Sequence, residues 1–145
     1  MIRGFLYILC LCLFYFSCKE KEVLPEDPYI WKPLKVTATA YNSVSWQTSD
    51  NPHITAWGDS LVPGLKYIAV SRDLIKEGLD HNTMVKIDTF PDTFYVKDKM
   101  HYKWRNRIDI YMGLNRKKAL KWGRRKVHIL YAVKKDSLTD SIITP

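Results

Sequence analysis

Six short runs rich in β-branched and aromatic residues follow one another at positions 36–41, 66–70, 84–87, 94–96, 107–112 and 127–133. This series constrains the fold more than any other feature of the chain. Turn-formers divide the runs: Asn51-Pro52, Trp57-Gly58-Asp59, Pro63-Gly64, Gly78 and Pro91-Asp92. Such residues suit a pleated, half-buried surface, and many short strands cut by turns close into a small barrel or sandwich. One segment reads as helix. Asn115 can cap it, residues 116–122 fill two turns and Gly123 stops it. A weaker helical turn falls at 73–77. The expected class is therefore mainly β with one or two short helices.

The run at 107–112 fixes which face is which. Strand side chains alternate, so Ile108, Ile110 and Met112 share one face while Arg107, Asp109 and Tyr111 share the other. The apolar trio, with Ile68 from the second run, is expected to point into a common core. Asp109, Arg107 and Tyr111 then face outward. A second acid, Asp98, follows the run 94–96 and precedes Asp109 by eleven positions.

The amino-terminal end belongs to something other than this domain. A basic start, Met1-Ile2-Arg3-Gly4, leads into twelve unbroken apolar residues at 5–16. A membrane-spanning helix needs roughly 20 such residues, so the run has the layout of a secretory signal rather than a span. The three cysteines are Cys10, Cys12 and Cys18, which leaves the folded domain without a disulfide framework or a cysteine metal site. Cys18 stands where the chain turns from apolar to polar, and it resembles the lipidated cysteine of a bacterial lipoprotein. The expected organisation is a signal over 1–17, a proline-bearing charged tether over 18–34, a β domain over 35–133 and a polar tail over 134–145. The expected location is the cell envelope, lipid-anchored through Cys18 at the outer membrane or on the periplasmic side.

Twenty-three lysines and arginines against fifteen acids give the chain a formal charge of +8. Residues 1–17 hold only Arg3 among the charges, so the remainder carries about +7. This balance suits an anionic partner. A secreted chain rarely meets nucleic acid, so none is expected; an anionic envelope polymer such as peptidoglycan, or lipid headgroups, fits the compartment better. The sequence has no glycine-rich phosphate loop, no His-x-x-x-His pair and no Gly-x-Ser-x-Gly elbow. Its histidines, His53, His81, His101 and His128, are scattered. No metal and no cofactor are expected, and the domain is expected to be a monomer.

Five segments in order resemble the three-aspartate (3D) domain: "TATAY" at 37–41, "TAWGD" at 55–59, "YIAVSRDLI" at 67–75, "YVKDKMHYKWRNRIDIYMG" at 95–113 and "ALKWGRRKVHIL" at 119–130. That resemblance implies a six-stranded double-psi β-barrel related to the barrel of membrane-bound lytic transglycosylase A. Two features depart from the family pattern. Ser71 stands where the family carries its first aspartate, with Asp73 two positions later and of equal strand parity. The segment between the paired aspartates holds no glycine but does hold Tyr102 and Trp104.

The resemblance implies that Asp109 is the general acid and base of glycan cleavage between N-acetylmuramic acid and N-acetylglucosamine. The C6 hydroxyl of the muramic sugar would attack and leave a 1,6-anhydro product. Asp98 would be the neighbouring carboxylate that raises the Asp109 pKa. Thr39, Tyr41, Ser71, Tyr102, Trp104, Arg107 and Tyr111 are the candidate substrate contacts. Peptidoglycan glycan strands are the implied partner. The alternatives are an expansin-like barrel that binds the glycan without cutting it, and a structural role in which Asp98 and Asp109 accept backbone N–H bonds at loop crossings.

Overall fold

The computed structural model describes residues 26–43 and 54–135. The signal segment, Cys18, the Asn51-Pro52 turn, His53 and the tail beyond 135 lie outside the described residues. The strands are β1 (Tyr29–Tyr41), β2 (Tyr67–Val70), β3 (Met84–Ile87), β4 (Thr93–Lys99), β5 (Arg107–Tyr111) and β6 (Arg125–Lys134). Helix α1 (Arg72–Lys76) follows β2, and α2 (Arg116–Trp122) follows β5. The strands form a closed barrel in the order β1-β5-β2-β4-β3-β6. β1 runs parallel to β5 and β2 parallel to β4, while every other neighbouring pair is antiparallel. Two parallel pairs set into an otherwise antiparallel cylinder give the double-psi barrel that the resemblance implied.

Alternation fills the interior. Val36 and Ala38 of β1, Ile68 and Val70 of β2, Ile108 and Ile110 of β5, and Val127 and Ile129 of β6 are all buried. Register places them against one another: Ile68 opposes Ile110, Val70 opposes Ile108, and Ala38 lies beside Ile108. Val85, Ile87, Phe94 and Val96 complete the ring, and Leu74 and Leu79 join the same core. The parity expected for β5 therefore holds, with Met112 packed against the core at the strand's exit.

Three placements differ from expectation. β1 starts at Tyr29, inside the stretch expected to be a tether, and pairs with β6 from Tyr29↔Lys134 onward. The charged, proline-bearing composition suggests a tether there, and proline lacks the N–H that a ladder uses. Pairing with β5 begins only at Thr37, so at Pro33 the strand has one neighbour and an open side. β4 extends to Lys99, so Asp98 lies within it rather than beyond it. Asp73 sits in the first turn of α1, after β2 has ended, so strand parity does not relate it to Ser71.

Candidate functional site

A single row of side chains crosses four strands on the outer surface. Thr39 of β1 is the parallel partner of Asp109 of β5. Asp109 opposes Ala69 of β2, and Ala69 is the partner of Asp98 of β4. Residues in register share a face, so Thr39, Asp109, Ala69 and Asp98 stand side by side. Two strand spacings, about 9–10 Å, separate the backbones that carry the two acids. In register between them stands Ala69, which is itself buried.

Asp98 reaches this row through an irregularity. Phe94 and Val96 point inward, and plain alternation would send Asp98 inward after them. The β2–β4 ladder instead jumps from Ile68↔Val96 to Ala69↔Asp98, skipping Lys97. One extra residue inverts the parity of all that follows in the strand. The bulge thus turns a carboxylate away from an apolar core. It also gives Lys97 and Asp98 a shared task. The Asp98 Oδ1 accepts from Ala56 N–H and from Lys99 N–H, each at 2.8 Å. Lys97 Nζ meets Asp59 Oδ1 at 2.8 Å, and His81 Nε2 lies 2.5 Å from Asp59 Oδ2. Together they hold both ends of the turn around Trp57, which Thr55 closes by accepting from Gly58 N–H at 2.9 Å. Gly58 takes φ +88°, a backbone conformation that suits glycine. The Trp57 ring stacks on His81 at 5.0 Å, with Lys99 Nζ 4.8 Å from its centroid.

Asp109 is held differently. Thr39 Oγ1 donates to its Oδ1 at 2.8 Å. Burial pushes the Asp109 carboxyl up to about 6, against the Thr39 hydrogen bond and the Arg107 charge, while the charge of Asp98 adds to the rise. Arg107 forms no ion pair with Asp109 among the described contacts; its guanidinium lies 3.9 Å from the centroid of Trp104. Burial also raises Asp98, with the charge of Asp59 adding to it, against the Ala56 and Lys99 N–H bonds and the Lys99 charge. Tyr41 lies close to both acids. Burial, then the Asp98 and Asp109 charges, push its hydroxyl far above the ordinary range, so it stays protonated. That hydroxyl is buried without a hydrogen-bond partner.

The remaining candidates divide. Trp104 and Arg107 form one stacked unit on the β5 side of the row. Tyr111 is buried, its hydroxyl 2.7 Å from Ser43 Oγ and its ring 5.4 Å from that of Tyr41, so it supports Tyr41 rather than facing solvent. Ser71 is fully buried, and its Oγ accepts from Arg107 N–H at 3.0 Å, leaving α1 without a side-chain cap. That hydroxyl closes the β2–β5 ladder and offers nothing to a ligand. Asp73 accepts from Asn106 N–H at 2.7 Å. Burial pushes its pKa up, but that bond, one from Ser71, its own N–H and the Arg105 charge together hold Asp73 below its ordinary value. Neither residue supplies the absent first aspartate of the 3D pattern at the row. Tyr102 is 67% exposed, its ring tilted against that of His101 with centroids 4.3 Å apart. Ala69 and the clasp residues Lys97, Asp59 and His81 escaped the sequence reading, because a bulge leaves no mark in composition. Among the described residues no group of three or more His, Cys, Asp or Glu side chains is placed to hold a metal ion.

Comparison with known proteins found no matching family model and no matching curated protein. Among solved structures, apo Clavibacter michiganensis expansin is similar at 17% identity and TM-score 0.44, over 72% of this chain and 52% of that one. A mutant of the same expansin in complex with cellohexaose is similar at 17% identity and TM-score 0.45, over 71% and 51% of the two chains. The chain spans about half the length of these structures.

Proposed function

We propose that the domain binds cell-wall glycan strands along the row from Thr39 to Asp98, as an expansin-like module. The observation that carries this reading is Asp109: an outward, half-buried carboxyl steadied by Thr39 and left without a paired cation. Sugars are recognised by a few fixed polar groups beside apolar faces. The row supplies the polar groups in Asp109 and Thr39, with the small side chain of Ala69 beside them. Trp57 and Trp104 supply aromatic faces nearby. The ordered motifs that resemble the 3D domain point to the same class of ligand, peptidoglycan. Cys18, in this reading, carries the lipid that keeps the domain at the envelope.

Cleavage is the second reading, and one observation favours it. A carboxyl that keeps its proton to about pH 6 can donate it to a glycosidic oxygen. Attack by the muramic C6 hydroxyl would remove the need for a second carboxyl and a water between the two. Asp98, with one oxygen already bonded to two amides, suits a supporting charge better than an acid.

Peptidoglycan sacculi test both readings. The protein should sediment with sacculi, and Ala69→Leu, which enlarges the side chain beside the two acids while sparing both, should weaken this at least tenfold. Retained binding by a folded Ala69→Leu protein would remove the row from the site. Release of 1,6-anhydro muropeptides, abolished by Asp109→Asn, would establish cleavage; binding without such products leaves the module reading. For the anchor, Cys18→Ser should move the protein out of the membrane fraction, and continued membrane association with normal processing would overturn lipidation at that residue.

A further inference from the structure

One continuous stretch of the chain carries charge of a single sign. Between Leu114 and Lys126 the chain holds seven lysines and arginines and no acid, and all seven are exposed. None of the seven joins an ion pair found among the described residues. Arg124 comes near enough to Arg107 to add to the effect of burial in holding that guanidinium below its ordinary pKa. Like charges gathered without counter-charges repel one another, and an anionic surface would relieve that repulsion.

Helix geometry sorts the residues of α2. Ala119 is buried and Trp122 packs against the core, so these two mark the inner face. At 100° per residue, Lys117, Leu120 and Lys121 fall on the opposite face. Leu120 is 66% exposed there, and Leu114, just before the helix, is 59% exposed. A soluble polyanion would use the cations but has no place for two leucines. A bilayer offers both phosphates and, just beneath them, an apolar layer. Among the described residues no helix is long and apolar enough to cross a membrane, so such contact would lie on the surface.

We propose that the outer face of α2 docks on an anionic lipid surface, with Lys117 and Lys121, and Arg116 at the flank beside Leu120, at headgroup phosphates and Leu114 and Leu120 inserted beneath them. This contact does not use Cys18 and stands whether or not the row binds glycan.

Vesicle flotation tests it, using the full chain with Cys18→Ser so that no acyl chain contributes. Vesicles of phosphatidylcholine alone are compared with vesicles containing phosphatidylglycerol at three parts in ten, since the apolar leader meets both. The chain should prefer the anionic vesicles, and 0.5 M salt should abolish that preference without any substitution. Arg116→Gln/Lys117→Gln/Lys121→Gln should weaken anionic partitioning roughly a hundredfold. Lys35→Gln/Arg72→Gln/Lys76→Gln, on other elements, should change it no more than about twofold. Leu120→Gln should weaken it several-fold at unchanged charge. Equal losses from the two triple substitutions would overturn the proposal, because only net charge would then matter. So would an inert Leu120→Gln together with complete displacement by soluble polyglutamate, which would assign the patch to a polymer.

Discussion

β4 and β5 each bring one aspartate to the same outer row, and they do so by opposite means. β5 is regular: Ile108 and Ile110 face in, Asp109 faces out, and the strand needs no correction. β4 is regular only as far as Val96, after which a bulge at Lys97 inverts the pattern and brings Asp98 out. The consequences differ as well. Asp98 is bound to backbone amides and holds a turn; Asp109 touches one hydroxyl and holds its proton to about pH 6. A regular strand leaves its polar side chain free for a ligand. A bulged strand uses its polar side chains to support the distortion. On this contrast, Asp98 serves the architecture and Asp109 is the acid left to the proposed site.

The largest effect tests the regular strand. Ile110 is 1% exposed and faces Ile68 across β2, so Ile110→Ala leaves a cavity in the barrel. The expected loss is about 2–5 kcal/mol by denaturant unfolding. A near-neutral result would mean that β5 does not alternate as described, and Asp109 would lose its outward place.

The two acids should then respond with opposite signs. Asp109 has a folded pKa of about 6 against an ordinary 3.8. Between those values the folded chain keeps a proton that the unfolded chain releases. The group's stabilising contribution is therefore full below about pH 4 and is lost as pH rises through 6. Asp109→Asn cannot ionise, and it should be more stable than the native protein at pH 7 by about 1–3 kcal/mol, with no gain at pH 3.5. A loss of stability at pH 7 would make Asp109 a structural residue. Asp98→Ala removes the acceptor for Ala56 and Lys99, and should cost about 1 kcal/mol. Amide exchange at Ala56 and Lys99 should quicken, while that of β5 should not. Unchanged exchange at Ala56 would show that the turn is held by Asp59 and its partners alone.

The same contrast explains what could be read from the chain. Strand parity in β5, the core of isoleucines and valines, and helix α2 between Asn115 and Gly123 follow from local pattern, because period and capping are local facts. The order of motifs carried the barrel. The β4 bulge, and with it the place of Asp98, could not be read, since it depends on how β4 meets β2. Ser71 and Tyr111 looked like groove residues by their position; the structure gives their hydroxyls to Arg107 N–H and Ser43 instead. The early start of β1 was hidden by a charged, proline-bearing stretch without period-2 alternation, and Pro33 is accommodated where one side of the strand is open.

The smallest effect is the most discriminating, because it separates the influences on Asp109 without disturbing the barrel. The Thr39 hydroxyl donates to the ionised carboxyl and favours it, so Thr39→Val should move the Asp109 titration upward. Arg107→Gln removes a positive charge and should also move it upward. Asp98→Asn removes a negative charge and should move it downward, while an amide oxygen remains for Ala56 and Lys99. Carboxyl carbon resonances followed by NMR from pH 3 to pH 9 would read all three in folded protein. Burial is the leading cause of the high value, so none of these changes should return Asp109 to its ordinary titration. If Asp98→Asn leaves the midpoint in place while Thr39→Val shifts it, the two acids are electrically independent and the row acts as two separate groups. If Asp98→Asn lowers it, the single strand between them is narrow enough for one carboxyl to set the charge of the other.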